Sequence, residues 1–415
     1  MFLTIVQKIV AMLARRVIRQ YKPEIIGISG SVGKTSTKEA IASMLSVHFR
    51  VRETYKNYNN ELGLPLSILG LKSPGKSLLG WLRVFQQAWH LGNGNVKDEY
   101  PEVLVLEMGV DHPGDMDYLA SIARPTRSVI TKLGQAHLEF FKSLEHLHAE
   151  KMKLAQVVSD EGWVIYNYDD EVLRKAVEKV PRRNIGFGFD AKAEVCAEQT
   201  SIVIGQNNEI GTAFKLKIEG STVPIFLPGV IGRPPVYSAL AAAAVAMSYG
   251  INAVMMADIF IDRKRPAGRL QLIPGINDSL IIDDTYNSSP DSVFEGLNAI
   301  ADVPKEKRQR VWTVLGSMKE LGDLSTKGHE DVAKAAAKVA DFIIAVGEEA
   351  RVISDTWFAT AEEAAMYLKD KIKPGDVLFI KGSQAARMEK VVKVLMAQPE
   401  RAEELLVRQG KEWSN

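Results

Sequence analysis

The chain has 415 residues, 46% hydrophobic and 25% charged, enough to bury more than one core, so two or three soluble globular domains are expected. Lysine plus arginine (52) almost equals aspartate plus glutamate (51), so no whole-chain field attracts nucleic acid, and no nucleic-acid partner is expected. The one cysteine, Cys196, excludes an intrachain disulfide or a cysteine-rich zinc site and fits a reducing compartment, with the cytoplasm as the expected location.

The first 22 residues form a basic amphipathic helix: Phe2, Val6, Ile9, Leu13 and Val17 fall on one face, Thr4, Lys8, Arg15 and Arg19 on another. The stretch is too short and too interrupted to span a bilayer. Its charges follow the apolar run, whereas a secretion signal has them first. Two readings stand: the apolar face packs on the protein's own next domain, or the helix makes peripheral contact with an anionic membrane or a partner protein.

From Ile25 to Asn167 short apolar strands (Ile25 to Ser29, Val103 to Glu107, Ser128 to Thr131, Trp163 to Asn167) alternate with helical runs, which predicts a mostly parallel sheet covered on both faces. Between the first strand and the helical run Thr37 to Leu45 lies GSVGKTS, residues 30–36. Strand, glycine loop and helix in that order make a phosphate-binding loop, in which backbone N–H groups and the helix N-terminus face phosphate oxygens. Gly30, Ser31, Val32, Gly33, Lys34, Thr35 and Ser36 would form it, with Lys34 on the terminal phosphates and Thr35 on magnesium. The spacing is the shorter GxxGK[ST], with Ile28 where the commonest pattern has a glycine. The plain alternative is a glycine turn with a surface lysine. Leu78 to Leu91 (LLGWLRVFQQAWHL) reads as an aromatic helix packed on a neighbour rather than a cofactor box.

Between Ala193 and Leu227 the pattern changes to alternating strands with turn glycines, as in Phe214 to Ile218 and Val223 to Phe226, which predicts a small antiparallel appendage. An alanine-rich helix, Tyr237 to Tyr249, and a basic linker, Asp262 to Gly268, follow. A second alternating unit has strands at Leu280 to Asp283, Val311 to Leu315, Phe342 to Val346 and Val377 to Ile380. Ser289 and Pro290 are placed to cap and open a helix there. The predicted fold class is α/β: an amphipathic helix (1–24), a central phosphate-loop domain (25–262) and a C-terminal Rossmann-like domain (263–415).

Three residues outside the loop are candidates for chemistry. Glu107 ends an apolar strand, where ligands of parallel sheets gather, and can serve magnesium or cap a turn. His137 follows another strand end, and Lys151 lies in a helical run; each alone also reads as an ordinary loop histidine or a solvated lysine.

Six motifs in one order carry a resemblance: GSVGKTS, NNELGLPLSIL (59–69), LEMGVDHPGDM (106–116), GQAHLEFFKSLE (134–145), DDTYNSSPDSV (283–293) and KGSQAARMEKVV (381–392). The chain resembles the Mur ligase family over roughly 25–392, closest to its MurF branch, which adds D-alanyl-D-alanine to the peptidoglycan precursor. The resemblance implies ATP-dependent, ADP-forming amide ligation in cell wall biogenesis, with the active site in a cleft between the central and C-terminal domains. A peptide carboxylate would take the terminal phosphoryl group of ATP to give an acyl phosphate, and an amino acid or dipeptide amine would displace phosphate. Such an enzyme acts on small-molecule and peptide substrates, as an expected monomer.

Residue by residue, the resemblance implies Lys34 on the terminal phosphates, Thr35 and Glu107 on one magnesium, His137 on a second, and a carbamylated Lys151 beside that second ion, with Lys153 the weaker match. It implies Arg269 on the ATP phosphates and Asp284 on the ribose, with Asp283, Tyr286 and Asn287 nearby. The chain departs from the pattern at Pro234-Pro235, where a His-Asn pair is usual, and at Ser238, Ser317, Lys319 and Gln384. The last three bear on the incoming amine. MurF-type enzymes hold the uridine nucleotide in a domain ahead of the ATP loop, where this sequence has the amphipathic helix. Three expectations follow: another protein or surface binds that end, the acceptor lacks UDP, or the acceptor is lipid-linked and met at a membrane. Two alternatives to the Mur reading are a folylpolyglutamate synthase-like ligase and a non-catalytic ATP-binding regulatory protein.

Overall fold

Val103–Glu107 has no polar side chain before its last residue, and all five residues are buried, as expected of a strand covered on both faces. The structure, a computed structural model, describes residues 2–55, 58–94, 99–134, 140–205, 209–262, 266–303, 309–410 and 413. It divides into two compact units, the first comprising Met1–Glu198, Leu216–Val223 and Tyr237–Arg263 and the second the remainder.

The first unit opens with α1 (Phe2–Tyr21), then β1 (Glu24–Ser29), α2 (Lys34–Ser46), β2 (Val51–Glu53), α3 (Gly63–Leu69), α4 (Leu78–Leu91) and β3 (Val103–Glu107). After these come α5 (Asp115–Ile122), β4 (Arg127–Ile130), α6 (Leu144–Gln156), β5 (Trp163–Asn167), α7 (Glu171–Val177) and β6 (Arg183–Gly188). The strands lie in the order β2-β3-β1-β4-β5-β6, every pair parallel. The strands expected as an appendage are β7 (Val195–Ile204), β8 (Ile210–Ile218) and β9 (Ser221–Pro228); within the first unit β7 pairs in parallel with β6 at Val195 and Cys196.

Helix α1 buries Val6, Val10, Leu13, Ala14 and Val17 in one core with Leu64 and Ile68 of α3, Trp81 and Val84 of α4, Leu104 and Leu106 of β3, and Leu119 of α5. Of its two sequence readings, packing on the adjoining domain is what this face does. The alanine-rich helix is α8 (Arg233–Ser248), which starts four residues earlier than its expected first residue; Pro234 and Pro235 fall in its first turn, where the missing N–H groups have no intrahelical partner to lose. Helix α9 (Ala253–Asp262) follows, and residues 263–265 of the expected linker lie outside the described residues.

The second unit carries β10 (Gln271–Pro274), β11 (Leu280–Asp284), α10 (Pro290–Ala301), β12 (Arg310–Gly316), α11 (Ser325–Ala336), β13 (Phe342–Val346), β14 (Trp357–Phe358), α12 (Ala361–Lys369), β15 (Asp376–Lys381) and α13 (Glu389–Leu395). The strand order is β10-β11-β15-β12-β13-β14, with β10 antiparallel and the others parallel. Both faces are filled: Val311 and Leu315 of β12 pack with Val293, Leu297 and Val332 of α10 and α11, while Trp312 and Val314 pack with Leu368 and Val391 of α12 and α13. Alternate residues of one strand serve opposite cores, which is the doubly wound arrangement. Ser289 caps α10 in a capping box with Ser292, and Pro290 occupies its first turn.

Candidate active site

Parallel pairing of β3, β1 and β4 brings Glu107, Ser29 and Ile130 to the same edge of the sheet, so the chain segments leaving those strands must meet. The phosphate loop is the first of these segments. Gly30 has φ +142°, and a Cβ there would stand 2.1 Å from Thr131 Oγ1. The loop is tied to the segment after β4: Ser31 N–H donates to the Lys132 carbonyl (2.8 Å), and Thr131 Oγ1 donates to the Val32 carbonyl (2.6 Å). Gly33, at φ +84°, caps α2 without a side-chain hydrogen bond, and the positive end of the helix dipole faces the loop. Lys34 Nζ folds back onto the Gly30 carbonyl at 2.8 Å, within the loop itself.

Glu107 is buried at the end of β3. Thr35 Oγ1 donates to its Oε2 (3.1 Å), Asn59 Nδ2 donates to its Oε1 (3.1 Å), and its backbone N–H donates to Thr54 Oγ1 (2.8 Å). Asn59 lies in the NNELG motif but received no role from sequence, because an amide side chain has no chemistry of its own to announce it. A buried carboxylate with a hydroxyl beside it is an all-oxygen donor set of the kind magnesium takes, with water completing its shell. Among the described residues no group of three His, Cys, Asp or Glu side chains converges as a metal cage.

Lys151, on α6, is 1% exposed, and its Nζ donates to Ser31 Oγ at 2.8 Å. The same oxygen accepts the Gly134 N–H at 2.7 Å. Burial, and after it the Lys34 charge, push the Lys151 amine down to about 7, against which Asp111 acts only in part. Lys153, two residues on, instead pairs with Asp117 (2.6 Å) and Glu150 (2.7 Å) away from the loop. Glu150 is itself a positioning group, its Oε1 accepting the N–H groups of Gly114, which caps α5, and of Met116 in its first turn. His137 lies outside the described residues.

In the second unit, Asp284 ends β11 opposite Lys381, the end of β15. Lys381 Nζ donates to Asp284 Oδ2 (2.6 Å) and to the Asn287 carbonyl (2.9 Å), both side chains being buried. Desolvation raises the Asp284 carboxyl and lowers the Lys381 amine, and their contact opposes both shifts. Arg269 holds its guanidinium carbon 3.9 Å above the Tyr286 ring, with Nε unpartnered among the described residues. Arg408, unremarked in the sequence, ties this segment down through the Thr285 and Tyr286 carbonyls and Glu389. The predicted set Arg269, Asp284 and Asn287 is therefore assembled around Lys381 and Tyr286.

The sequence matches the Mur ligase middle domain over residues 28–78 and 91–246 and the Mur ligase glutamate ligase domain over 268–384. The chain belongs to the Mur ligase family. The middle-domain match of this Mur ligase carries Lys34, Thr35, Glu107 and Lys151, and the second match carries Arg269, Asp284 and Lys381. The UDP-N-acetylmuramoyl-tripeptide--D-alanyl-D-alanine ligase of Bacillus subtilis is 27% identical, over 93% of this chain and 79% of its own length. That of Escherichia coli is 29% identical, over 92% of this chain and 79% of its own. Among solved structures, the MurF ligase of Thermotoga maritima in complex with ADP superposes with TM-score 0.80 at 28% identity, covering 95% of this Mur ligase and 84% of that chain.

Proposed function

We propose that the protein is an ATP-dependent, ADP-forming amide ligase of peptidoglycan synthesis, joining an amino acid or dipeptide to a carboxylate of a cell-wall peptide precursor. The observation that carries this is the single hydrogen-bonded cluster of phosphate loop, Glu107 and Lys151 in a chain of the Mur ligase family. D-alanyl-D-alanine is the proposed amine, by likeness to the relatives of that name.

A carboxylate is a poor electrophile. One of its oxygens attacks the terminal phosphorus of ATP, ADP leaves, and an acyl phosphate results. The amine nitrogen then adds to the acyl carbon, inorganic phosphate departs, and the nitrogen gives up a proton. The approach of two anions demands cations. In this reading Lys34 leaves the Gly30 carbonyl for the terminal phosphates, while the α2 N-terminus and the N–H groups of the loop after Ser31, whose own N–H is held by the Lys132 carbonyl, take the others. Thr35 and Glu107 would hold magnesium, which when bound would neutralise phosphate charge. Arg269, Asp284 and Asn287 serve ATP, the first through its cation and the others through oxygen acceptors toward a ribose.

Lys151 is proposed to be carbamylated. An amine lowered to about 7 is neutral in about half of the molecules near neutral pH, against almost none for an ordinary lysine. Its lone pair attacks carbon dioxide, an N–C bond forms, and a proton goes to solvent, leaving an anionic carboxylate beside Ser31. His137 and this carbamate are the proposed holders of a second magnesium. A cytoplasmic monomer, with contact at the inner face of the membrane, completes the proposal.

The test is incubation with ATP, magnesium, UDP-N-acetylmuramoyl-tripeptide and D-alanyl-D-alanine, with phosphate release and product mass measured. Phosphate release that requires both acceptor and amine is expected. Release independent of acceptor, or none across a panel of amines, overturns the ligase reading.

A further inference from the structure

Helix α1 spends its apolar face on the core of the first unit, yet it and α4 leave a second apolar surface outside. On α4, Trp81, Val84 and Ala88 point inward, while Leu78 (64% exposed), Leu79 (71%), Leu82 (62%) and Trp89 (50%) face solvent. Leu3, Ile5 and Met12 are likewise exposed on α1. The helices are joined at this surface by Arg16, whose guanidinium lies 4.1 Å from the centre of the Trp89 ring and donates to the Gly92 carbonyl and Asn93 Oδ1.

The two helical segments themselves carry charge of one sign. Residues 2–23 contain Lys8, Arg15, Arg16, Arg19 and Lys22, residues 62–94 contain Lys72, Lys76 and Arg83, and neither stretch holds an aspartate or glutamate. Against a chain total of +1 this is a marked local excess. Along the outer side of α1, cations and apolar residues alternate as Ile5, Lys8, Met12 and Arg19. Lysine is depleted at the centres of protein interfaces but common on helices lying at a lipid surface, where its stem reaches along the apolar layer to the headgroups. Tryptophan prefers that boundary too. No described helix is long and apolar enough to cross a membrane, so the contact is one that lies on the bilayer.

We infer that the outward surface formed by α1 and α4 docks on an anionic phospholipid membrane, with Leu78, Leu79, Leu82 and Trp89 entering the headgroup boundary and Lys8, Arg19 and Arg83 meeting lipid phosphates. This deepens the membrane contact proposed above by naming its surface and its lipid, and it does not depend on the ligase reading.

The experiment is flotation of the full chain with phosphatidylcholine vesicles and with vesicles containing phosphatidylglycerol. The chain is expected to float with the anionic vesicles at low salt, to stay behind with the neutral ones, and to be released as salt rises. Leu78→Ser with Leu82→Ser, and separately Lys8→Glu with Arg19→Glu, are expected to weaken flotation at least tenfold while circular dichroism and nucleotide binding are unchanged. All four positions are solvent-facing, so folding is retained. Absence of flotation at low salt, or equal flotation of both variants, overturns the inference. A dimer in sedimentation that Leu78→Ser with Leu82→Ser dissolves, without vesicle binding, overturns it in favour of a second copy on this surface.

Discussion

Lys151 and Ser31 stand 120 residues apart in the chain and 2.8 Å apart in the fold, amine nitrogen to hydroxyl oxygen. That contact sets α6 on the phosphate loop and gives a buried lysine a place beside the loop's own cation, Lys34. Lys151→Ala is expected to abolish turnover, with no rescue by bicarbonate, since no amine remains to take up carbon dioxide. Lys151→Arg should fail as well, because a guanidinium stays charged. Carbon-13 bicarbonate should give a carbamate signal in wild-type protein and none in either variant; full activity of Lys151→Ala would remove the carbamate from the mechanism.

The same lysine makes stability depend on pH. Its amine titrates near 7 in the fold and near 10.5 in the unfolded chain, so between these values the unfolded state binds more protons. Stability therefore rises as pH increases from 7 to 10.5, and below 7 the buried ammonium costs on the order of a few kcal/mol. Lys151→Met is expected to raise the melting temperature over wild type at pH 6, with the gap closing as pH climbs through that window. Thermal melts of both proteins across the pH range decide it.

Glu107→Gln keeps an oxygen for the Thr35 hydroxyl but loses the charge. Its amide N–H group then faces the Asn59 Nδ2 donor, so a stability loss of about 1–3 kcal/mol is expected. Turnover should fall at least a hundredfold, with more magnesium needed for half-maximal rate, as measured in magnesium titrations of phosphate release.

Two glycines of the loop should differ sharply. A Cβ on Gly33 meets nothing within 4 Å, leaving only the strain of φ +84°, about 1–2 kcal/mol. On Gly30 it would also strike Thr131 Oγ1, with backbone atoms of Lys132 at 3.1 and 3.2 Å behind it. Gly30→Ala is expected to lower stability more than Gly33→Ala, by about 2 kcal/mol or more in urea unfolding. Equal midpoints would show that the loop shifts away at little cost.

Lys381→Met strands the Asp284 carboxylate in the second unit, and a loss of about 3–5 kcal/mol is expected. Adding Asp284→Asn should recover much of it, because the uncompensated buried charge is removed. A double-mutant cycle in denaturant measures the coupling.

By itself the sequence determined the local items: the strand, loop and helix around residues 30–36, the all-apolar strand ending in Glu107, and the serine and proline that open α10. These depend on periodicity and on backbone preferences of single residues, which neighbours in the chain suffice to express. It could not separate a solvated Lys151 from a buried one, nor show that Asn59 would reach Glu107, because those contacts join distant segments. Three-residue β2 has too little pattern to stand out, and exists through its pairing with β3. The aromatic run 78–91 was legible as a helix, but which of its apolar residues face inward was not. Tertiary packing decided that Trp81 and Val84 are covered while Leu79 and Leu82 are left in water, since burial depends on what other segments bring to a face and not on the hydrophobicity of the face itself.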